Sequence, residues 1–479
     1  MTVGYESKFE LEELRTKVRD AFGDLVIDKR RLPASKLTAR GIPAYVGEWV
    51  LSSIVPGDGP LSIDDGRKVL DWAREKMPTT EEAPVVRLRL SSGQVLRVLT
   101  SVEAEVVLHK DKEADTRAVF PLLGIRDAQI LQSTMHDYPD LLKQGMWGIA
   151  TIEGGPGVYL ADFKPMQATI DVELFKAARA KFTTTEWIHL LIDSMGLDAT
   201  SMTPQQHLYA LSRLLPLTQQ SMHLMELAPK GTGKSYLYEN ISPRVRLISS
   251  GSVSPAVLFV NNASGQWGLL ARFKVVVLDE VQTLKLGHSS EIVGGLKGYL
   301  ANGKITRGGK YETGSDCSLV LLANIPLNED LMPLGDSLVQ ELPREFHESA
   351  LLDRFRGIVP GWKLPKLNTK SFSSGLGMKS DFFGEVLCGL RDELSYDQAV
   401  TSRVRLSGSA PYHRNQEAVR AIASGYLKLL FPHEVYNRSE LEDLCVLPAL
   451  EYRQNIWNEL RARDKEYLKF DELLRADVV

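Results

Sequence analysis

Cysteine is scarce in this chain. Cys317, Cys388 and Cys445 are the three present, too far apart for a disulfide framework or a zinc-knuckle pattern, and they read as ordinary residues of a reduced, cytoplasmic protein. Long apolar runs are missing as well: no stretch reaches the roughly 18 residues needed to cross a bilayer. The opening MTVGYESKFELEELRTKVRD lacks an apolar secretory core, and Gly4 is not in the position a myristoylation signal requires. Neither charge dominates, with 57 Lys plus Arg against 61 Asp plus Glu and a formal net charge of −4. A strongly basic domain is therefore excluded, and any nucleic-acid contact has to come from a local patch. Histidines form no metal cluster: His109, His136 and His347 are isolated, and His433 reads as structural. No internal repeat or low-complexity tract appears.

What is present is an ordinary globular composition, 43% apolar and 25% charged over 479 residues, enough for about two or three cores. Residues 1–80 read as helical, because Leu11, Leu14, Val18, Phe22 and Leu25 recur at helical steps. The cluster Pro56-Gly57-Asp58-Gly59-Pro60 breaks that region. Residues 81–172 read as a small, mostly antiparallel β domain, with strands expected at VVRLRL, QVLRVLTSVEAEVVLH, WGIATIEG and GVYLADFKPM and a short helical insertion around 126–135. Such an OB-like barrel either binds oligonucleotides or holds its neighbours in place. One helix through ELFKAARAKFTTTEWIHLLIDSMG leads into residues 173–370. There Thr203, Pro204 and Gln206 signal a helix start. The continuous apolar strands HLMEL, VRLIS, FKVVVLD and CSLVLLAN alternate with helices, which predicts an α/β core around a parallel sheet. Residues 371–479 read as a helical lid or subdomain.

APKGTGKS follows the HLMEL strand and matches the phosphate-cradling loop pattern, with Ala228 where the pattern has its first glycine. Pro229, Lys230, Gly231, Thr232, Gly233, Lys234 and Ser235 are the expected nucleotide-binding residues. Gly231 and Gly233 let backbone amides approach phosphate, Lys234 reaches the β and γ phosphates, and Ser235 holds magnesium. FKVVVLDE ends on Asp279, expected in the magnesium shell, and on Glu280, expected to polarise the attacking water. LVLLAN places the neutral amide of Asn324 at a third strand end, where it can orient water or contact the γ-phosphate. ATP and Mg²⁺ are therefore the expected cofactors.

ELAPKGTGKSYLYENISP, FKVVVLDE, GGLKGYLANGKITRG and LLDRFRGIVPGWKLPK resemble the BrxL family of BREX phage-defence proteins, which are Lon-related, MCM-like AAA+ ATPases. ARGIPAYVGEWVL, RAKFTTTEWIHLLIDSMGL and RNQEAVRAIASGYLKLLFPH resemble the same family, so the likeness extends over nearly the whole chain. It implies a P-loop AAA+ core, a ring-forming homo-oligomer, hexameric or stacked, and an N-terminal region that binds DNA. Other phage-defence proteins are implied partners, and no membrane is. Longer members carry a C-terminal Lon-like protease-fold domain; the likeness here stops with the helical region, and no protease activity is expected.

By the same resemblance, Arg354, with Arg356 as the second choice, is an arginine finger presented to a neighbouring subunit. Arg414, with Arg420 as its rival, is the lid arginine that senses nucleotide from within its own subunit. Residues 300–314 resemble a hairpin that projects into the channel, with Lys304, Arg307 and Lys310 suited to DNA phosphates, and 249–259 resembles a second channel feature. The implied function is an ATP-driven DNA motor or remodeller. The alternatives are a protein-remodelling ATPase, for which Tyr299 and Leu300 are the candidate threading pair, and an ATP-gated assembly scaffold.

Overall fold

The computed structural model describes residues 11–57, 59–107, 115–166, 170–249, 251–262, 265–286, 289–307, 311–407 and 412–479. Lys310 and His109 lie outside them. The apolar stripe of the first segment forms the helix Leu11–Phe22, which buries Leu14, Val18 and Phe22. These side chains do not pack into a separate N-terminal core. The Phe22 ring stacks within 6.5 Å of Phe182 and 6.4 Å of Trp187, and meets Phe382 edge-on at 6.3 Å. Strand β1 (Val26–Asp28) then pairs antiparallel with Leu376–Met378. The start of the chain is thus built into the body formed by later residues. The helices Ala44–Ile54 and Ile63–Lys76 form a smaller cluster through Leu37, Val50, Val69 and Ala73, which also takes in Leu99 and Met166 of the neighbouring β region.

Strands β2 (Val95–Val107), β3 (Asp115–Phe120), β4 (Ile125–Ile130), β5 (Met146–Glu153) and β6 (Tyr159–Pro165) close into a barrel in the order β2-β3-β4-β6-β5. Its pairs are antiparallel except β4 with β6. Inward and outward residues alternate along β5, as a strand with one face on a core requires.

Three expectations in this part of the chain are corrected. VVRLRL is not a strand but part of the helix Ala83–Ser91, with Pro84 in its first turn. Ala83, Val86 and Leu90 are buried while Val85 and Leu88 face outward, so the three-to-four-residue spacing prevails over the apparent alternation. The insertion expected at 126–135 is mostly β4, and a helix begins only at Gln132. The single helix expected before residue 200 is two, Val172–Arg179 and Thr184–Ser194. Thr183 and Glu186 form a reciprocal capping box that restarts the second.

The Thr203 start holds as read: its hydroxyl accepts the Gln206 N–H at 3.3 Å, and Gln206 Oε1 accepts the Thr203 N–H at 3.0 Å. The helix Pro204–Leu211 leads to strand β7 (Leu224–Ala228). Strand β8 (Val245–Ser249) follows, then a short parallel pair, β9 (Ser252–Val253) with β11 (Lys285–Leu286), that flanks β10 (Val275–Asp279) in sequence. The hairpin β12 (Lys304–Arg307) with β13 (Tyr311–Gly314) precedes β14 (Ser318–Asn324), and β15 (Gly357–Pro360) completes the set. The central sheet is parallel, in the order β15-β7-β14-β10-β8. Counted along the chain that is 5-1-4-3-2, a P-loop α/β sheet of AAA+ type. Residues of β7 and β10 are buried along their whole length, as helices on both faces demand. The C-terminal region supplies the helices Ser380–Gly389, His413–Leu430 and Leu447–Arg463, together with Leu376–Met378 and a further strand pair, Val404–Ser407 with Arg475–Val478, that the helical reading missed.

Side chains tie the barrel and N-terminal helices to the sheet. Arg244, just ahead of β8, lies 3.2 Å from Asp140 of the barrel and 2.8 Å from Glu385. Arg272 pairs with Glu103 at 2.9 Å. Asn240 Oδ1 accepts the Ala44 N–H at 2.7 Å, capping the Ala44–Ile54 helix from another element.

The corrected helix can be tested at Gly154, where a Cβ would stand 1.8 Å from the Leu90 carbonyl oxygen. Gly154→Ala is expected to cost about 1–3 kcal/mol by overpacking, read in urea unfolding. Wild-type stability would contradict the seating of Ala83–Ser91 on the barrel.

Candidate nucleotide site

Parallel strands bring their carboxyl ends to one edge, and ligands of such sheets bind there. Ala228 at the end of β7 is in register with Asn324 at the end of β14, and β14 in turn lies beside β10, which ends at Asp279. The three motifs read from the sequence therefore converge. Lys234 Nζ donates to Asn324 Oδ1 at 2.7 Å. The Asn324 N–H donates to Gln282 Oε1 at 3.1 Å, linking the amide strand to the turn after Glu280. Asp279 is buried, and its Oδ1 accepts the Glu280 N–H at 2.8 Å. Glu280 itself has a left-handed backbone, φ +49°. That conformation is costly for a side chain with a Cβ and is concentrated at functional sites.

Burial lowers the pKa of the Lys234 ammonium from its ordinary value. Glu226, Asp279 and Glu280 act against that shift and Arg213 adds to it. Glu239, on the same helix, is pushed upward by burial and by the charge of Asp279.

The loop itself fits a phosphate chain. Gly231 and Gly233 are left-handed, at φ +87° and +77°, and the space a Gly231 Cβ would occupy is open. Ala228 is not among the left-handed residues, so its methyl is compatible with an ordinary strand end. Among the described residues, the amides of Lys230 to Gly233 donate to no backbone acceptor, and Thr232 Oγ1 is buried without a partner. These residues lie directly before the Lys234–Asn240 helix, and a helix N-terminus favours anions. Pro229 and Ser235 are partly accessible and Lys230 is exposed. Asp279 makes no ion pair among the described residues, and a buried carboxylate of that kind suits a metal shell. Ser235 and Asp279 are the residues that would hold magnesium.

Arg354 and Arg414 stand elsewhere. Gly357, at the start of β15, is in register with Leu224 at the start of β7. Arg354 therefore lies beyond the amino ends of the strands, with the length of β7, roughly 13 Å, between that edge and the phosphate loop. Arg414 Nη1 is 2.5 Å from Asp353 Oδ2, to which Tyr412 also donates at 2.9 Å. The other Asp353 oxygen takes fully buried Arg453 at 2.5 Å. Burial lowers the Arg354 pKa, and the nearby Arg414 charge lowers it further. Arg414, expected to sense nucleotide within its own subunit, is held by Asp353 beside Arg354. Arg420 Nη2 donates to the Val404 carbonyl at 3.4 Å. Arg356 lies 3.9 Å from Glu417.

Within the expected 300–314 segment, Lys304–Arg307 and Tyr311–Gly314 pair as antiparallel strands, but the described basic residues are not equivalent. Lys304 is exposed and pairs with Glu312 at 2.8 Å. Arg307 is partly buried, bonded to Glu291 at 2.8 Å and to the Val260 carbonyl, where it braces the strand pair. Tyr299 and Leu300 are buried, which removes them as a threading pair. Sequence reasoning missed Gln282, Arg213 and Glu226. The last carried a signal, being a lone carboxylate in a strand expected to be buried on both faces.

Residues 158–472 match the family described as "Lon-like protease BrxL-like, ATPase domain", and residues 20–153 match "BREX system Lon protease-like protein BrxL N-terminal". The Lon-like protease BrxL of Bacillus cereus (strain H3081.97) is 29% identical over 450 residues, which cover 91% of this chain and 65% of that protein. The Escherichia coli O9:H4 (strain HS) protein of the same name is 28% identical over 431 residues, covering 88% and 61%. The chain thus spans less than two thirds of the length of either relative. A solved full-length MCM homolog from Methanopyrus kandleri is a more distant likeness, with TM-score 0.44 and 11% identity over 93% of this chain and 100% of that one. Among the described residues, no helix is long and apolar enough to cross a membrane.

Asp353→Asn leaves buried Arg453 facing a neutral amide. Breaking such a pair is expected to cost about 3–5 kcal/mol, measured by urea denaturation. A loss below about 1 kcal/mol would show that Asp353 is not the hub of the arginine cluster.

Proposed function

On the premise that this chain belongs to the BrxL family, we propose that it is an ATP-driven, ring-forming, DNA-binding motor or remodeller of a BREX-type phage-defence system. The observation that carries the reading is the 2.7 Å bond between Lys234 and Asn324, with Asp279 and Glu280 close enough for their charges to act on Lys234. Bound Mg²⁺ would neutralise phosphate charge between Ser235 and Asp279. Lys234 exchanges the Asn324 oxygen for the β and γ phosphate oxygens, and Asn324, released, orients the attacking water. Glu280 accepts a proton from that water.

Arg354 completes the reaction from a neighbouring copy. An arginine cluster at the far edge of the sheet has no phosphate of its own to meet, whereas a ring would bring it to the adjacent phosphate loop. Arg414, tethered to Asp353, acts across the same interface and steadies the finger. Hydrolysis then depends on assembly, because Mg²⁺ and Lys234 leave part of the charge that develops on the γ-phosphate to be neutralised across an interface. The barrel at 81–172 is read as an OB-like DNA-collecting domain, and the β12–β13 hairpin as the channel element, with Lys304 as its phosphate contact and Arg307 as its brace.

Lys234→Ala and Glu280→Ala are each expected to abolish ATP turnover, Lys234→Ala with loss of nucleotide binding and Glu280→Ala without it. Full turnover in either, measured by phosphate release, contradicts the site. Lys304→Glu is expected to weaken DNA binding and to lower the slope of log affinity against log salt by about one. Unchanged affinity at fixed moderate salt removes the hairpin from the channel.

A further inference from the structure

Strand β7 is buried on both faces yet carries one carboxylate, Glu226, which is 3% exposed. Its partner Arg213, 2% exposed, comes from the turn after the Pro204–Leu211 helix. The two form a bidentate pair, with Arg213 Nη2 2.6 Å from Glu226 Oε1 and Nε 3.0 Å from Oε2. The remaining arm of the guanidinium, Nη1, donates to the Thr232 carbonyl at 3.1 Å. Thr232 lies between the two left-handed glycines of the phosphate loop. Gly361 leaves room for this arrangement, since a Cβ there would stand 2.8 Å from the Ala228 Cβ and 2.9 Å from the Glu226 Cγ. Glu226 also heads the negative groups that offset the burial of Lys234.

A buried ion pair contributes little net stability over an apolar pair of similar volume. A planar fork with a third donor, however, can fix the direction of a backbone carbonyl, which neither an apolar group nor a lysine can do. A fixed Thr232 carbonyl turns the adjoining amides the other way, toward the cradle.

We infer that Arg213 and Glu226 are positioning residues for the phosphate loop: the pair anchors the Thr232 carbonyl to strand β7 and thereby aims the Gly231–Lys234 amides at the nucleotide phosphates. The inference rests on the nucleotide reading of this site. Neither residue touches the reacting atoms, so the pair governs affinity more than the chemical step.

The test compares wild-type protein with the double variant Arg213→Met/Glu226→Leu, which replaces the pair with apolar groups and is expected to melt within about 4 °C of wild type. ATP affinity, kcat at saturating ATP and amide exchange of residues 230–234 without nucleotide are measured. The expected result is Kd for ATP raised about tenfold or more, as for one lost charge-assisted hydrogen bond. The loop amides should exchange faster, and kcat should stay within about threefold, since only uniform binding is lost. A folded double variant with wild-type Kd and wild-type exchange overturns the inference. If it fails to fold, Arg213→Lys decides by the same readouts, because it keeps the charge beside Glu226 and loses the arm to Thr232. Wild-type protein that binds no ATP refutes the nucleotide reading, while faster loop exchange in the variant would still uphold the anchoring of the loop.

Discussion

A buried ammonium must be surrounded by acceptors or lose its charge, and this constraint organises the carboxyl edge of the sheet. Lys234 meets it through the Asn324 amide, with the charges of Glu226, Asp279 and Glu280 around it. The strand order makes this possible. Because β14 lies between β7 and β10, a neutral amide stands between the cation-bearing loop and the acidic strand end. A carboxylate at position 324 would place a further negative charge there and repel phosphate, whereas an apolar residue would leave the cation without its acceptor. The turn after Glu280 is bound into the same arrangement through Gln282, so the loop, the acidic pair and the amide are mechanically joined.

The sheet has a second charged edge. Asp353 gathers Arg453, Arg414 and Tyr412 around one buried carboxylate and leaves Arg354 beside them. The two edges are chemically complementary, one built to receive phosphate and the other rich in guanidinium. A single chain cannot bring its own edges together, because the length of the strands separates them. Their complementarity is the physical ground for reading the protein as an assembly whose active sites lie between copies.

The candidate nucleotide site was legible in the sequence because it is written in local patterns. A loop of fixed spacing, a strand ending in two acids and a strand ending in asparagine each declare themselves over a few residues. The capping box at Thr203 was legible for the same reason. What escaped depends on tertiary partners. VVRLRL alternates like a strand, yet Pro84 and the inward spacing of Ala83, Val86 and Leu90 make it a helix. Arg307 looks like a free cation until Glu291 and the Val260 carbonyl are placed against it. Arg414 could be given a lid position from the sequence but not the company of Asp353, which is 61 residues away. The apolar face of the first helix is completed by Phe182, Trp187 and Phe382, partners far along the chain that no local pattern declares.

The most direct measurement is a structure of the protein with Mg²⁺ and a nonhydrolysable ATP analogue. The account predicts the phosphates on the Gly231–Ser235 amides, Mg²⁺ between Ser235 and Asp279, Lys234 drawn from Asn324 to the β and γ oxygens, and Arg354 arriving from an adjacent copy. Nucleotide seated on another surface, with Lys234 still bonded to Asn324 and the glycine loop empty, would contradict it.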